Sequence, residues 1–341
     1  MSTESRPRPR RHALVKTVAC VVAVLLLAEG GVRLVQDRLP PPTGWLNDEY
    51  PQKERQMNPL AAAGGVSTVF LGSSVADTAI DPAELPANAV GPRGAYNAGV
   101  VGATPWIFDV WSRLAVVPRL HPDVAVIAIS SRELNANGLG NADNEERFRT
   151  SPEGRHLLGT ESTTDSIERW LNDKSALLRY RQVLRRPLEA LFDYDPPDRN
   201  ATEITKSGLE TQMLNQKYQG SDVVRSFFRR EPLFNYAISP FELEALTRLV
   251  QSLQSRGTKV IVLDVPVTDD YIQLHPRGRA DYDSYESALD GLVKQTGTRL
   301  LRPGVWPSDL FADPLHLNRQ GADRLTALVA DALVAATSPS G

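Results

Sequence analysis

Near-continuous apolar runs at Val66–Leu71, Asp123–Ile129 and Lys259–Val265 constrain this chain more than any other feature. A strand with one wet face alternates apolar and polar residues, whereas an unbroken Val/Ile/Leu run suits a strand covered on both faces. Two shorter strand candidates, Ala95–Ala98 and Arg299–Leu301, bring the set to five. Helical patterns separate them at about Pro105–Leu120, Pro240–Arg256, Tyr282–Gln295 and Gln320–Ala336. Strand and helix in turn require right-handed crossovers and a parallel sheet. The expected fold is therefore a flavodoxin-like three-layer α/β/α sandwich around a five-stranded parallel sheet.

The N-terminus belongs to a different class. Arg6, Arg8, Arg10, Arg11 and Lys16 precede or open an apolar run, and residues 13–35 are long enough to cross a bilayer as a helix; a span takes roughly 20 residues. A basic tail over residues 1–12 keeps to the cytoplasmic side, which sends the rest of the chain outward. No clear small-x-small cleavage site follows, so the segment reads as a retained single-pass anchor in the cell membrane. The sole cysteine, Cys20, lies inside it, which excludes a disulfide framework or a cysteine metal site within one chain. A net charge of −3 gives no reason to expect a nucleic-acid partner.

Residues 36–65, with Pro40-Pro41-Pro42, read as a tether to a domain spanning 66–338. Residues 136–236 interrupt the strand–helix rhythm as an insertion after the third strand, with helical stretches near Ser166–Tyr180 and Gln182–Phe192 and a turn-rich stretch at Asp193–Asn200. Such insertions form lids, substrate walls or peripheral caps. The sequon at Asn200 carries no weight in a bacterial-type chain. Trp106, Trp111, Trp170 and Trp306 are explained by packing before sugar stacking.

Two distant fragments carry the chemistry. Leu71-Gly72-Ser73-Ser74 runs from a strand into a turn and sets Ser74 at the carboxyl edge of the sheet. Asp313-Pro314-Leu315-His316 places a carboxylate three residues before a histidine, where one can orient the other as a general base. A third fragment, Asn97 to Thr104, is a glycine-containing loop ahead of Pro105, and Gly102 can present its N–H at close range. No Gly-x-Ser-x-Gly elbow and no Gly-x-Gly-x-x-Gly loop occur, which excludes the standard α/β-hydrolase and dinucleotide signatures.

The order of these fragments resembles the SGNH (GDSL-type) hydrolase superfamily from about Val66 to Ala336. The resemblance implies a Ser74–His316–Asp313 triad, with Ser73 replacing the usual aspartate of the first block, and oxyanion donors at Ser74 and Gly102. It includes the Leu317-Asn318 and Gly321 that follow the histidine. The third block departs: Arg132 stands where the family has an asparagine, and Asn135 is the nearest substitute, so both are candidate third donors. Behind a single anchor, these forms look like the branch linked to acylation of bacterial surface polymers. The function expected is an extracytoplasmic serine esterase or O-acyltransferase acting on acyl, chiefly acetyl, esters of cell-envelope glycans. It needs no metal or organic cofactor and works beside a membrane-bound acyl-donor protein. The rival is a degenerate SGNH-fold scaffold in surface-polysaccharide assembly, supported by Arg132. A membrane-tethered oxidoreductase comes a distant third.

Overall fold

The computed structural model describes residues 11–39, 49–181, 183–185 and 204–337. Arg6, Arg8, Arg10, the proline run 40–42, the stretch 182–192 apart from 183–185, the turn-rich 193–200 and the sequon at Asn200 lie outside the described residues. The chain folds as two units, residues 1–44 with 162–201 and residues 45–161 with 202–341.

In the first unit a continuous helix covers Arg11–Val35. Its segment Val15–Val35 is long and apolar enough to cross a membrane, and residues 15–27 are all exposed. The C-terminal turns of this helix are tied to the insertion. Glu29 accepts from the Ser175 hydroxyl at 2.8 Å and from the Ala176 and Leu177 amides at 2.8 and 2.9 Å. Arg33 pairs with Glu29 at 2.7 Å and donates to the Lys174 carbonyl at 2.6 Å. The single helix expected over 166–180 is two, Thr163–Lys174 and Ala176–Arg179. The break falls at Ser175, whose hydroxyl caps the second helix.

The second unit holds the sheet. Five parallel strands, β1 (Thr68–Gly72), β2 (Ala95–Asn97), β3 (Val124–Ile129), β4 (Lys259–Asp264) and β5 (Arg299–Leu301), lie in the order β2-β1-β3-β4-β5. Every residue of β1 and β3 is buried. Because successive side chains point to opposite faces, both faces of the sheet are covered. The register runs Thr68↔Val124 to Gly72↔Ala128, then Val124↔Lys259 to Ile129↔Asp264. In this order the connections diverge between β1 and β3, which opens a crevice at the carboxyl ends of those two strands.

The four expected helices are present. Pro105–Trp111 continues through a π-helical turn, Ser112–Val116, into Val117–Leu120; Pro118 has no N–H to return to Leu114, and the turn before it widens. The others are Pro240–Ser255, Arg279–Thr296 and Arg319–Thr337.

The expected tether needs correction. Residues 49–62 form a helix whose Glu49, Tyr50, Lys53 and Met57 are buried. These four positions share one helical face, but two of them are ionisable residues, so no apolar stripe announces the helix. Tyr50 packs edge-on against Trp111 with ring centroids 5.1 Å apart. Lys53 is fully buried, and its ammonium donates to Asp77 at 2.5 Å and to the carbonyls of Asn97 and Gly208 at 3.1 and 2.8 Å.

Candidate active site

Ser74 opens a single helical turn, Ser74–Asp77, just past the end of β1. Gly72 sits at φ 147°, and a Cβ there would lie 2.4 Å from the Ala128 carbonyl oxygen, so only glycine lets the chain leave β1 this close to β3. Ser73 caps the turn through the Val75 amide and donates its hydroxyl to Glu133 at 2.6 Å. Glu133 also accepts from the Ser130 amide at 2.8 Å and the Ser130 hydroxyl at 2.5 Å. One carboxylate thus joins the turn after β1 to the turn after β3. Behind them, the Asn97 side chain donates to the Ala76 and Ile80 carbonyls and accepts from Gly99.

His316 arrives from the far end of the chain. Phe311 and Leu317 bridge across a tight loop, and Asn318 braces it by donating to the Asp309 and Phe311 carbonyls. Asn318 then accepts from the Gly321 amide in the first turn of Arg319–Thr337. Within this loop, Asp313 receives the Leu315 and His316 amides on one oxygen, both at 2.8 Å, and the His316 Nδ1 on the other at 2.8 Å. Burial would push the Asp313 carboxyl up. The His316 ring and these hydrogen bonds outweigh it, and the group lies below the usual carboxylate range. A charged Asp313 keeps the ring proton on Nδ1 and leaves Nε2 as an acceptor.

The Ser74 Oγ lies 2.8 Å from that Nε2. The structure therefore brings Ser74, His316 and Asp313 into one hydrogen-bonded line at the crevice edge. Ser74 and His316 are buried, with 5% and 7% of their surface still exposed. Such a line can take a proton from the serine hydroxyl as it attacks a carbonyl.

Among the described residues, neither the Ser74 nor the Gly102 N–H is engaged by another protein group. Gly102 adopts φ 73° in the loop after β2. Of the two proposed substitutes for the family asparagine, Asn135 is corrected. Its amide N–H groups go to the Pro232 and Phe234 carbonyls, and its carbonyl accepts from Asn137 and Ala237. The side chain is fully occupied in pinning the insertion's return to the sheet. Arg132 makes no side-chain hydrogen bond to a described residue, and its Nε stands 3.4 Å from Glu133.

Sequence reasoning missed Asn144. It lies on the helix Leu139–Thr150 of the insertion. A Cβ on Gly102 would lie 2.8 Å from its Nδ2, and its amide has no partner among the described residues. Only tertiary contact could reveal it, because twelve positions and a chain reversal separate it from Arg132.

A second serine–histidine contact exists and has a different character. Ser131 Oγ lies 2.9 Å from both His275 Nε2 and the Tyr271 hydroxyl. Both residues are buried, and His275 Nδ1 faces the Tyr271 and Ile272 carbonyls rather than a carboxylate. Burial lowers the His275 pKa and keeps the ring neutral. This is a strut that fixes the turn carrying Arg132. Trp106, Trp111 and Trp306 are buried, as packing residues should be, and Trp170 is 58% exposed.

No family model matches the chain, and no curated protein matches it. Solved structures similar to it include one described as an acylhydrolase from Bacteroides fragilis, at 12% identity and TM-score 0.38, covering 79% of this chain and 86% of that one. A GDSL-like lipase from Bacteroides thetaiotaomicron is 12% identical with TM-score 0.37, covering 79% and 88%. A carbohydrate acetylesterase from Sinorhizobium meliloti is 10% identical with TM-score 0.39, covering 79% and 99%.

Proposed function

We propose that this chain is a membrane-anchored serine enzyme of acyl transfer. One observation carries the reading: the Ser74–His316–Asp313 line, with 2.8 Å at each side-chain link. His316 takes the Ser74 proton as the hydroxyl attacks an ester carbonyl. Asp313 holds the ring and stabilises the imidazolium that forms. The Ser74 and Gly102 N–H groups receive the oxyanion, and the Asn144 amide beside Gly102 is the third donor. His316 then returns its proton to the departing alcohol, and the acyl-enzyme passes its acyl group to water or to a sugar hydroxyl.

The Val15–Val35 helix serves as the anchor, with the sheet unit on the outer side of the membrane, where acyl esters of envelope glycans are the substrate class. A membrane-bound donor of acyl groups is the partner expected for the transfer direction. Fluorophosphonate labelling of the full chain in detergent tests the reading. Labelling that disappears in Ser74→Ala supports it. A folded wild-type protein that takes no label turns the fold into a scaffold.

A further inference from the structure

Among the described residues, Arg132 pairs with a single anion, Glu133, at 3.4 Å, and makes no hydrogen bond to it. Its side chain is 85% shielded, since 15% remains exposed, and its Nε is sealed from solvent with no hydrogen-bond acceptor. The nearest anion, Glu133, is already committed. One of its oxygens holds the Ser73 hydroxyl and the other holds both the amide and the hydroxyl of Ser130. No other described residue accepts from the guanidinium. A guanidinium carries five donors, and Glu133 balances its charge at 3.4 Å without accepting from any of them. A buried polar group left without a partner calls for an explanation, and a missing ligand is one.

Position says which ligand. The last β1–β3 pair is Gly72↔Ala128, with Ser74 two residues past the one and Arg132 four past the other. The Ser73 hydroxyl, at 2.6 Å, and the Arg132 Nε, at 3.4 Å, share the same Glu133 oxygen. The cation therefore stands beside the nucleophile's neighbour, held by the Ser131–Tyr271–His275 strut. With Asn144 beside Gly102, the oxyanion has a neutral third donor and does not require Arg132.

Resting on the acyl-transfer reading above, we infer that Arg132 is the recognition site for an anionic substituent, a carboxylate or phosphate, on the sugar that bears the acyl ester. A planar fork matches either oxyanion with two parallel hydrogen bonds. The substrate class narrows from acylated glycans to acidic acylated glycans. Neutral esters enter the same cleft but leave the guanidinium unpaired.

Three acetylated sugars test this: methyl glucuronoside, methyl glucoside and methyl glucoside 6-phosphate. Binding of each is measured to full-length Ser74→Ala protein in detergent, and acetate release is measured with wild type, Arg132→Gln and Arg132→Lys. One or both anionic sugars bind about ten- to a hundredfold tighter than the neutral one, and whichever does so identifies carboxylate or phosphate. Arg132→Gln abolishes that preference, and Arg132→Lys, which keeps the charge without the fork, restores part of it. Equal binding of all three sugars to Ser74→Ala overturns the inference without any Arg132 variant. An equal fall in turnover of all three in Arg132→Gln also overturns it and puts Arg132 on the oxyanion. Selective binding with no acetate released from any ester keeps the anion site and removes the serine-enzyme reading instead.

Discussion

Lys53 and Asp77 form an ion pair 2.5 Å long in which neither side chain is exposed, and Asp77 closes the helical turn that Ser74 opens. The second Asp77 oxygen has no hydrogen-bond partner, and burial pushes this carboxyl up while the ammonium pulls it back. The pair ties the helix Glu49–Ala62 to the floor of the site.

Removing one side of such a pair strands the other. Lys53→Met leaves Asp77 and the Asn97 and Gly208 carbonyls without their donor, and costs about 3–5 kcal/mol. Thermal unfolding in detergent measures it, and Ser74 labelling falls in parallel. Lys53→Met combined with Asp77→Leu recovers part of the loss, because no charge remains buried. A double variant no more stable than Lys53→Met would show that the carbonyl contacts, not the charge, dominate.

Glu210, from the insertion's return, titrates in the same region. Burial raises its carboxyl to about 7, with the nearby Asp77 adding to the rise and the Gln212 amide, Lys53 and His316 opposing it. An acid raised in the fold keeps its proton where the unfolded chain has lost it. Its contribution is therefore full below about pH 4.5 and declines as pH climbs through about 7. Glu210→Gln keeps the acceptor for Gln212 and removes the titration. The variant should match wild type near pH 4.5 and exceed it at pH 8 by about 2 kcal/mol. Parallel stability profiles for the two proteins would contradict this.

Asp313 lends itself to a cleaner test. In Asp313→Asn the Leu315 and His316 amides still find a carbonyl oxygen, so the loop stands. The amide N–H then faces Nδ1, which moves the ring proton to Nε2 and points it at Ser74. Turnover falls by about 10⁴ at little cost in stability. A fall of tenfold or less would show that Ser74 is activated by some other group.

How legible all this was depends on where each force acts. β1, β3 and β4 announced themselves because burial on both faces leaves no polar position to interrupt them. Asp313 and His316 were legible because their contact is local, three residues apart within one loop. The helix Glu49–Ala62 was hidden because it is buried through a charge, Lys53, whose partner is 24 residues away. The insertion likewise concealed its division, since Glu29 reaches across 147 residues to hold Ala176. Asn135 looked like a substitute donor on sequence distance alone, and only the carbonyls of Pro232 and Phe234 disqualify it.

Asn135 and Asn144 separate structure from chemistry within one segment. Asn135→Ala loses the hydrogen bonds that fasten residues 232–237, and leaves the buried Pro232 carbonyl and the part-buried Phe234 carbonyl without this donor. The expected cost is about 2–4 kcal/mol, read as a lower melting temperature with turnover per folded molecule largely kept. Asn144→Ala breaks no hydrogen bond of the resting protein, so its melting temperature stays close to wild type. Its amide matters only once an oxyanion forms beside Gly102, and turnover drops by about 10²–10³ with KM little changed. Steady-state kinetics on any turned-over ester, set beside melting curves, decides it. Should Asn144→Ala unfold the protein and Asn135→Ala slow it, the two assignments are exchanged and the third oxyanion donor lies on the loop after β3.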